Sequence, residues 1–170
     1  MRRTLLAIVA VIVLVIGLEW LGLLGWRGDD RRHYQGKWFA VAGILDGQTL
    51  LLQEADGRLT PLHLLGIDAP MGDSPFAQSA AEALLEKTWK KNVLIRFDPM
   101  ATRDAAGGLT AYVYLSDADM VNTDMVKSGA AYAQRKLRCE MTTAFTLAES
   151  DAHKHSRGLW QGQSAATQRR

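Results

Sequence analysis

The 170 residues contain one cysteine, Cys139. A single thiol rules out an intrachain disulfide framework, and neither requires nor excludes an oxidising compartment. An excess of either charge is missing as well, with 20 Lys+Arg against 18 Asp+Glu. Setting aside Arg2, Arg3, Arg27, Arg31 and Arg32, and Glu19, Asp29 and Asp30, leaves 15 basic and 15 acidic residues from Tyr34 onward. Nucleic-acid-binding domains ordinarily carry a basic excess or stripe, so nucleic acid is not an expected partner. There are no internal repeats. His153 and His155 stand two apart on a predicted helix, so they point to different faces and make no metal pair.

What the chain does have is an apolar beginning. Met1-Arg2-Arg3-Thr4 leads into 14 unbroken apolar residues, Leu5–Leu18, and the stretch continues through Glu19 to Trp26. Its 22 residues can span a hydrocarbon core of about 30 Å at ~1.5 Å per residue. No small-x-small cleavage site follows, and apolar character resumes at Leu21–Gly25. A retained anchor over 1–26, in the lipid bilayer through residues 5–26, is therefore expected rather than a cleaved signal peptide. Trp20 and Trp26 suit an interfacial aromatic belt. Glu19 has two readings: a contact to a partner helix, or an interfacial position reaching water unaided. Arg27, Arg31, Arg32 and Lys37 beyond the span weigh against an external domain. The short N-terminus nonetheless suits a signal anchor. The expectation is a single-pass protein of a bacterial inner membrane, its soluble domain on the periplasmic side.

A polar linker, 27–36, leads to a domain at 37–160 and a disordered tail at 161–170. Strands are predicted at Trp38–Leu45, Thr49–Gln53 and Leu62–Ile67, joined by the turn dipeptides Asp46-Gly47 and Asp56-Gly57. Ser74-Pro75 reads as an N-cap followed by proline at the first helical position. Phe76, Ala80, Leu84 and Ala77, Ala81, Leu85 carry that helix to about Lys90. Val93–Phe97 and Leu109–Leu115 are further strands, and Pro99–Gly108 a loop between them. Val121–Gly129 is a short helix ending at glycine, and Lys136–Ser156 a longer one that includes Cys139. The fold class is α+β: a five-stranded OB-type β-barrel capped by about three helices, preceded by one transmembrane helix. Trp89 and Trp160 are expected against the core. Arg135-Lys136-Arg138 reads as a solvated helix start.

Five pieces in sequence resemble the staphylococcal-nuclease-like (thermonuclease) family. They are Asp46-Gly47-Gln48-Thr49, Leu64-Leu65-Gly66-Ile67-Asp68-Ala69-Pro70, Arg103-Asp104 leading into Leu109–Tyr114, Met120-Val121-Asn122, and Gly158-Leu159-Trp160. The resemblance covers about Phe39 to Trp160 and implies the five-stranded barrel. Active members of the family hydrolyse DNA and RNA with one calcium ion. Two aspartates hold the metal, a glutamate acts as base, and two arginines clamp the phosphate.

Carried onto this chain, the resemblance implies a site stripped of its reacting groups. Asp46 and Asp68 are kept, and Gln48 stands where the turn has its second aspartate. Ala69 replaces a threonine that serves through its backbone oxygen, a tolerable change. Met71 replaces the glutamate, and His63 and Gly108 replace the two arginines. No catalytic residue is therefore expected. Asp68, Asp46 and Gln48 form at most a weak residual metal site, and no cofactor is expected. Asp68 also reads as a fold determinant bonding the next loop.

The function expected is that of a catalytically inactive, membrane-anchored accessory or interaction subunit of a membrane protein complex. One alternative is a diverged calcium-dependent phosphodiesterase tethered to the membrane, with Arg96 or Arg103 standing in for the lost arginines. Another is a binding module using the barrel face.

Overall fold

The computed structural model of the chain describes residues 30–161. The anchor over 1–26, Glu19 and nearly all of the tail lie outside the described residues. The chain divides into two units, one ending at Gln35 and one beginning at Gly36. The first contributes a short helix, α1 (Asp30–Tyr34). Among the described residues, no helix is long and apolar enough to cross a membrane.

From Gly36 onward the barrel follows from alternation. In β2 (Thr49–Gln53) the side chains of Leu50 and Leu52 are fully buried, and in β3 (Leu59–Leu64) Leu62 and Leu64 are buried. With period-two geometry these line one face of the sheet. β1 (Trp38–Asp46) pairs antiparallel with β2 and with β5 (Asn92–Arg96), and β5 pairs antiparallel with β6 (Leu109–Ser116). A parallel seam closes the circle, β3 to β6, with Leu62 opposite Leu109, His63 opposite Thr110 and Leu64 opposite Ala111. The result is a closed five-stranded barrel with Val93, Ile95, Ala111 and Val113 buried in it. A two-residue strand, β7 (Asp119–Met120), extends β6.

Pro61 is accommodated by the order in which the strands join. Leu64 donates its N–H to the Gln48 carbonyl, so the even-numbered residues of β3 face β2. Proline's missing N–H falls on the other side, where β6 begins to pair only at Leu62.

The third predicted strand, Leu62–Ile67, is in fact two. β3 ends at Leu64, and β4 (Ile67–Asp68) pairs instead with β8 (Tyr132–Ala133) in a separate ladder. Gly66 makes the break, with φ +79° and with Phe145 only 2.4 Å from where a Cβ would stand. Only glycine tolerates both.

α2 (Ala77–Thr88) begins two residues beyond the proposed proline start, and Ser74 makes a turn before it. Its buried face is Ala80, Leu84 and Thr88, while Phe76 and Leu85 are exposed. α3 (Val121–Lys127) buries Val121, Met125 and Val126, and α4 (Thr142–Lys154) buries Phe145, Ala148 and Ala152. α4 starts later than predicted, so Cys139 lies in the preceding loop, half-buried, its Sγ 3.5 Å from Thr142 Oγ1. The arginines before it are not a helix start, and Arg135 pairs with Glu149 at 2.7 Å. Trp89 departs from expectation too and is about half exposed. Trp160 packs edge-on against Tyr132 and His153.

Two buried polar groups tie the elements together. Asp98 is 2% exposed and accepts from Tyr112 Oη at 2.6 Å and from the N–H groups of Met100 and Glu140. Burial, then this bond to Asp98, pushes the Tyr112 phenol far above its ordinary pKa. Asn122, fully buried, accepts from Val113 N–H at 2.9 Å and donates to the carbonyls of Leu65 (2.9 Å) and Ala111 (3.2 Å).

Replacing Asn122 by Ala leaves Val113 N–H and the Leu65 carbonyl without a partner, while the Ala111 carbonyl keeps its bond from Leu65 N–H; each group left unsatisfied costs about 1–3 kcal/mol. A loss of at least about 2 kcal/mol in urea unfolding of the full chain is the expected result. A loss below about 1 kcal/mol would remove Asn122 from this role.

Candidate functional site

The turn between β1 and β2 sits beneath α2. A Cβ on Gly47 would stand 2.7 Å from the Ala80 Cβ and 3.0 Å from the Ala69 Cβ. Glycine at this position therefore lets the helix and the Ala69 loop close over the turn. Asp46 organises it, Oδ1 accepting from Gln48 N–H at 2.8 Å and Oδ2 from Thr49 Oγ1 at 3.0 Å.

Thr49 continues the chain of contacts. Its Oγ1 lies 3.1 Å from His63 Nδ1, across the β2–β3 rung that pairs the two residues. The carboxylate can only accept, so the one hydroxyl proton goes to Asp46 and His63 Nδ1–H donates to Thr49. That leaves His63 Nε2 as the second ring nitrogen, on the side of Gly108. A Cβ on Gly108 would meet His63 Cδ2 at 3.0 Å, its Nε2 at 3.2 Å and Asp104 Oδ2 at 2.9 Å. Asp104 Oδ1 accepts from the N–H groups of Ala106 and Gly108, at 2.9 and 2.8 Å. The residues at the two arginine positions are therefore neighbours, and a side chain at 108 would need His63 and Asp104 to give way.

Gln48 and Met71 are likewise brought together. Gln48 Oε1 accepts from Ala69 N–H at 2.8 Å, and its Nε2 approaches Met71 Sδ at 3.8 Å. The amide that stands where a ligand carboxylate was expected is thus bonded to the loop behind it. Asp68 differs. Its side chain is exposed and no hydrogen bond or ion pair reaches it among the described residues. The reading of Asp68 as a residue bonding the next loop is therefore corrected. β4 ends at this position, and the carboxylate projects from the sheet.

Calcium takes six to eight oxygen ligands at about 2.3–2.6 Å, and carboxylate charge sets its affinity. Here each Asp46 oxygen already accepts one hydrogen bond, the Gln48 oxygen is on Ala69 N–H, and the Asp68 carboxylate accepts none among the described residues. Among the described residues, no three His, Cys, Asp or Glu side chains are grouped to hold a metal. This donor set is poor in charge for calcium, with a neutral amide, already bonded through its oxygen, between the two carboxylates. The two arginines named as stand-ins are engaged elsewhere. Arg96 pairs with Asp117 at 2.5 Å and lies over the Tyr114 ring, and Arg103 Nη1 donates to its own loop at Gly107 O, 2.9 Å.

Sequence reading missed Thr49 and Asp104 as members of the site. Thr49 was visible only as part of a turn motif. Asp104 followed by two alanines and two glycines carries the mark of a side chain capping its own loop.

Millimolar calcium is expected to leave the melting temperature of the unchanged chain where it was, whereas Gln48→Asp should gain a calcium-dependent rise. A ligand stabilises a fold only above its dissociation constant. A rise in the unchanged chain, absent with magnesium, would mean that a calcium site forms despite Gln48.

The family model for staphylococcal nuclease homologues matches residues 61–162, more than half of the chain. The Asp46–Thr49 turn lies ahead of that stretch. Two proteins called uncharacterized endonuclease, one from Escherichia coli O157:H7 and one from Escherichia coli, are each 25% identical to this chain over 120 residues. The alignments cover 71% of this chain and 74% of each relative.

Proposed function

The chain belongs to the staphylococcal nuclease homologue family, and from that premise we propose that it is a tethered member that has given up calcium-dependent phosphodiester hydrolysis. In this reading the domain is an accessory or interaction subunit of a membrane protein complex. Residues 5–26 hold it in the bilayer as a single pass through a bacterial inner membrane, the domain on the periplasmic side. It needs no cofactor.

The observation that carries the reading is the Gln48 side chain. Its oxygen is taken up by Ala69 N–H, and its amide nitrogen faces Met71, a thioether that neither accepts a proton at neutral pH nor orients water. A general base commonly contributes ~10²–10⁴-fold, and an arginine on a transferring phosphoryl group ~10³–10⁵-fold where this has been isolated. With a methionine, a histidine and a glycine in those places, little rate enhancement is left. The even charge balance of the domain agrees with a protein partner rather than a polyanion.

The diverged phosphodiesterase remains the competing reading, favoured by the name of the two relatives and by the free carboxylate of Asp68. The full chain, purified in mild detergent, is expected to cleave neither single-stranded DNA nor RNA above a buffer control when calcium is supplied. Cleavage that vanishes both with a chelator and in Asp68→Ala would decide for the enzyme.

Glu19 is the residue we assign to partner contact, because an ionisable group within an apolar span ordinarily faces protein or water. Glu19→Leu should leave membrane insertion intact while reducing what co-purifies in mild detergent. Recovery of the same partners by Glu19→Leu, and by a chain carrying an unrelated transmembrane helix, would move recognition to the barrel domain.

A further inference from the structure

We propose that the corner of the domain where β1 begins is a membrane-contact surface for the anionic headgroups of a lipid bilayer. This deepens the tethered reading and rests on it.

Two indoles that could be buried are not. Trp38 is 52% exposed and Trp89 47%, and Leu85, one helical turn before Trp89, is 36% exposed. An indole has an apolar body and one N–H donor, a combination suited to the boundary between water and hydrocarbon. Lys37, Lys90 and Lys91 are all exposed beside them, and Lys90 Nζ stands 5.8 Å from the Trp89 ring centroid. Lys90 also holds φ +58°, a conformation that glycine or asparagine adopts at less cost. A local rule is thus broken at a residue whose distinguishing property is its charge.

Strand pairing brings these residues into one neighbourhood. Trp38 is opposite Leu94 and Ala40 opposite Asn92. Val41 N–H donates to Lys91 O at 3.0 Å. Asn92 and Lys91 therefore lie beside Ala40 and Val41, two and three residues into β1 from Trp38. Glu86 is exposed on this last turn of α2, Asp119 of β7 faces Lys91, and Lys87 is already paired with Asp124, so Lys37, Lys90 and Lys91 stand against two carboxylates. The balance is positive, and anionic lipid attracts it.

The length of chain ahead of the barrel limits how far this corner can stand from the lipid. Trp26 closes the apolar stretch and Trp38 opens β1. The residues between them reach at most about 40 Å at ~3.5 Å each, so an inserted anchor keeps this corner within range of the lipid surface. Asp46 lies at the far end of the same strand, at most roughly 26 Å away at ~3.3 Å per residue. With the Trp38 end on the headgroups, the Asp46–Thr49–His63 rung is carried away from the bilayer, open to a partner.

The test uses the full chain carrying Cys139→Ser and a nitroxide label at Asn92→Cys, reconstituted into vesicles. One set is phosphatidylcholine alone and the other includes phosphatidylglycerol. With phosphatidylglycerol, the label should lose accessibility to a water-soluble nickel chelate and gain accessibility to oxygen. Lys90→Glu with Lys91→Glu should abolish the change, and Trp89→Ser should reduce it. A label at Leu85→Cys gives an independent reading should the first variant misfold. Equal nickel accessibility in both vesicle types, with the chain resisting an alkaline wash, overturns the surface but leaves the anchor standing. A chain stripped by the wash overturns the anchor and this surface with it.

Discussion

The buried amide of Asn122 sits at the seam on which the barrel closes. Parallel pairing of β3 with β6 covers three residue pairs, a short ladder to hold a cylinder shut. Asn122 adds a bond to the Leu65 carbonyl just past β3 and two bonds to β6. Inside a low-dielectric core these bonds are strong, and expensive to leave unmade. The arrangement of the site depends on that seam. It sets His63 opposite Thr110, holds Gly108 against the His63 ring, and fixes where the chain breaks at Gly66 before Asp68.

The replacements at the site fit one another, so they are read best as a set. His63 bonds to Thr49, which bonds to Asp46, and Gly108 leaves the room that His63 and Asp104 fill. Gln48 bonds to Ala69 and faces Met71. Returning an arginine at 63 or 108 alone would meet side chains arranged for its absence. An arginine at 108 would require the His63 ring and the Asp104 carboxylate to shift from their present positions. This interlocking favours the reading of a domain retained for something other than calcium-dependent hydrolysis.

In the proposed arrangement the two ends of β1 have separate tasks. Its first residues stand with exposed tryptophan and lysine, where a tether of limited length delivers them to lipid. Its last residue, Asp46, begins the remodelled rung. A rigid strand between them keeps the two ends apart, which a flexible linker would not.

Much of this was legible in the residues themselves. Short apolar runs between turn signals gave the β2 and β5 strands, the Asp-Gly dipeptides gave the hairpin turns, and helical spacing gave the Ala80–Leu84 face, because each depends on neighbours a few positions away. The motif order showed that Gln48, His63, Met71 and Gly108 had changed. It could not show that they had changed together, since His63 and Gly108 are 45 positions apart in the chain. Only the closed barrel brings them into contact. The break at Gly66 was hidden for the same reason, being enforced by Phe145 from a distant helix. The freedom of Asp68 was hidden because an exposed carboxylate and a bonded one read alike in a sequence. Chain-local chemistry fixed the elements and the identities at the site. The barrel's closure decided which of those side chains hold one another and which is left free.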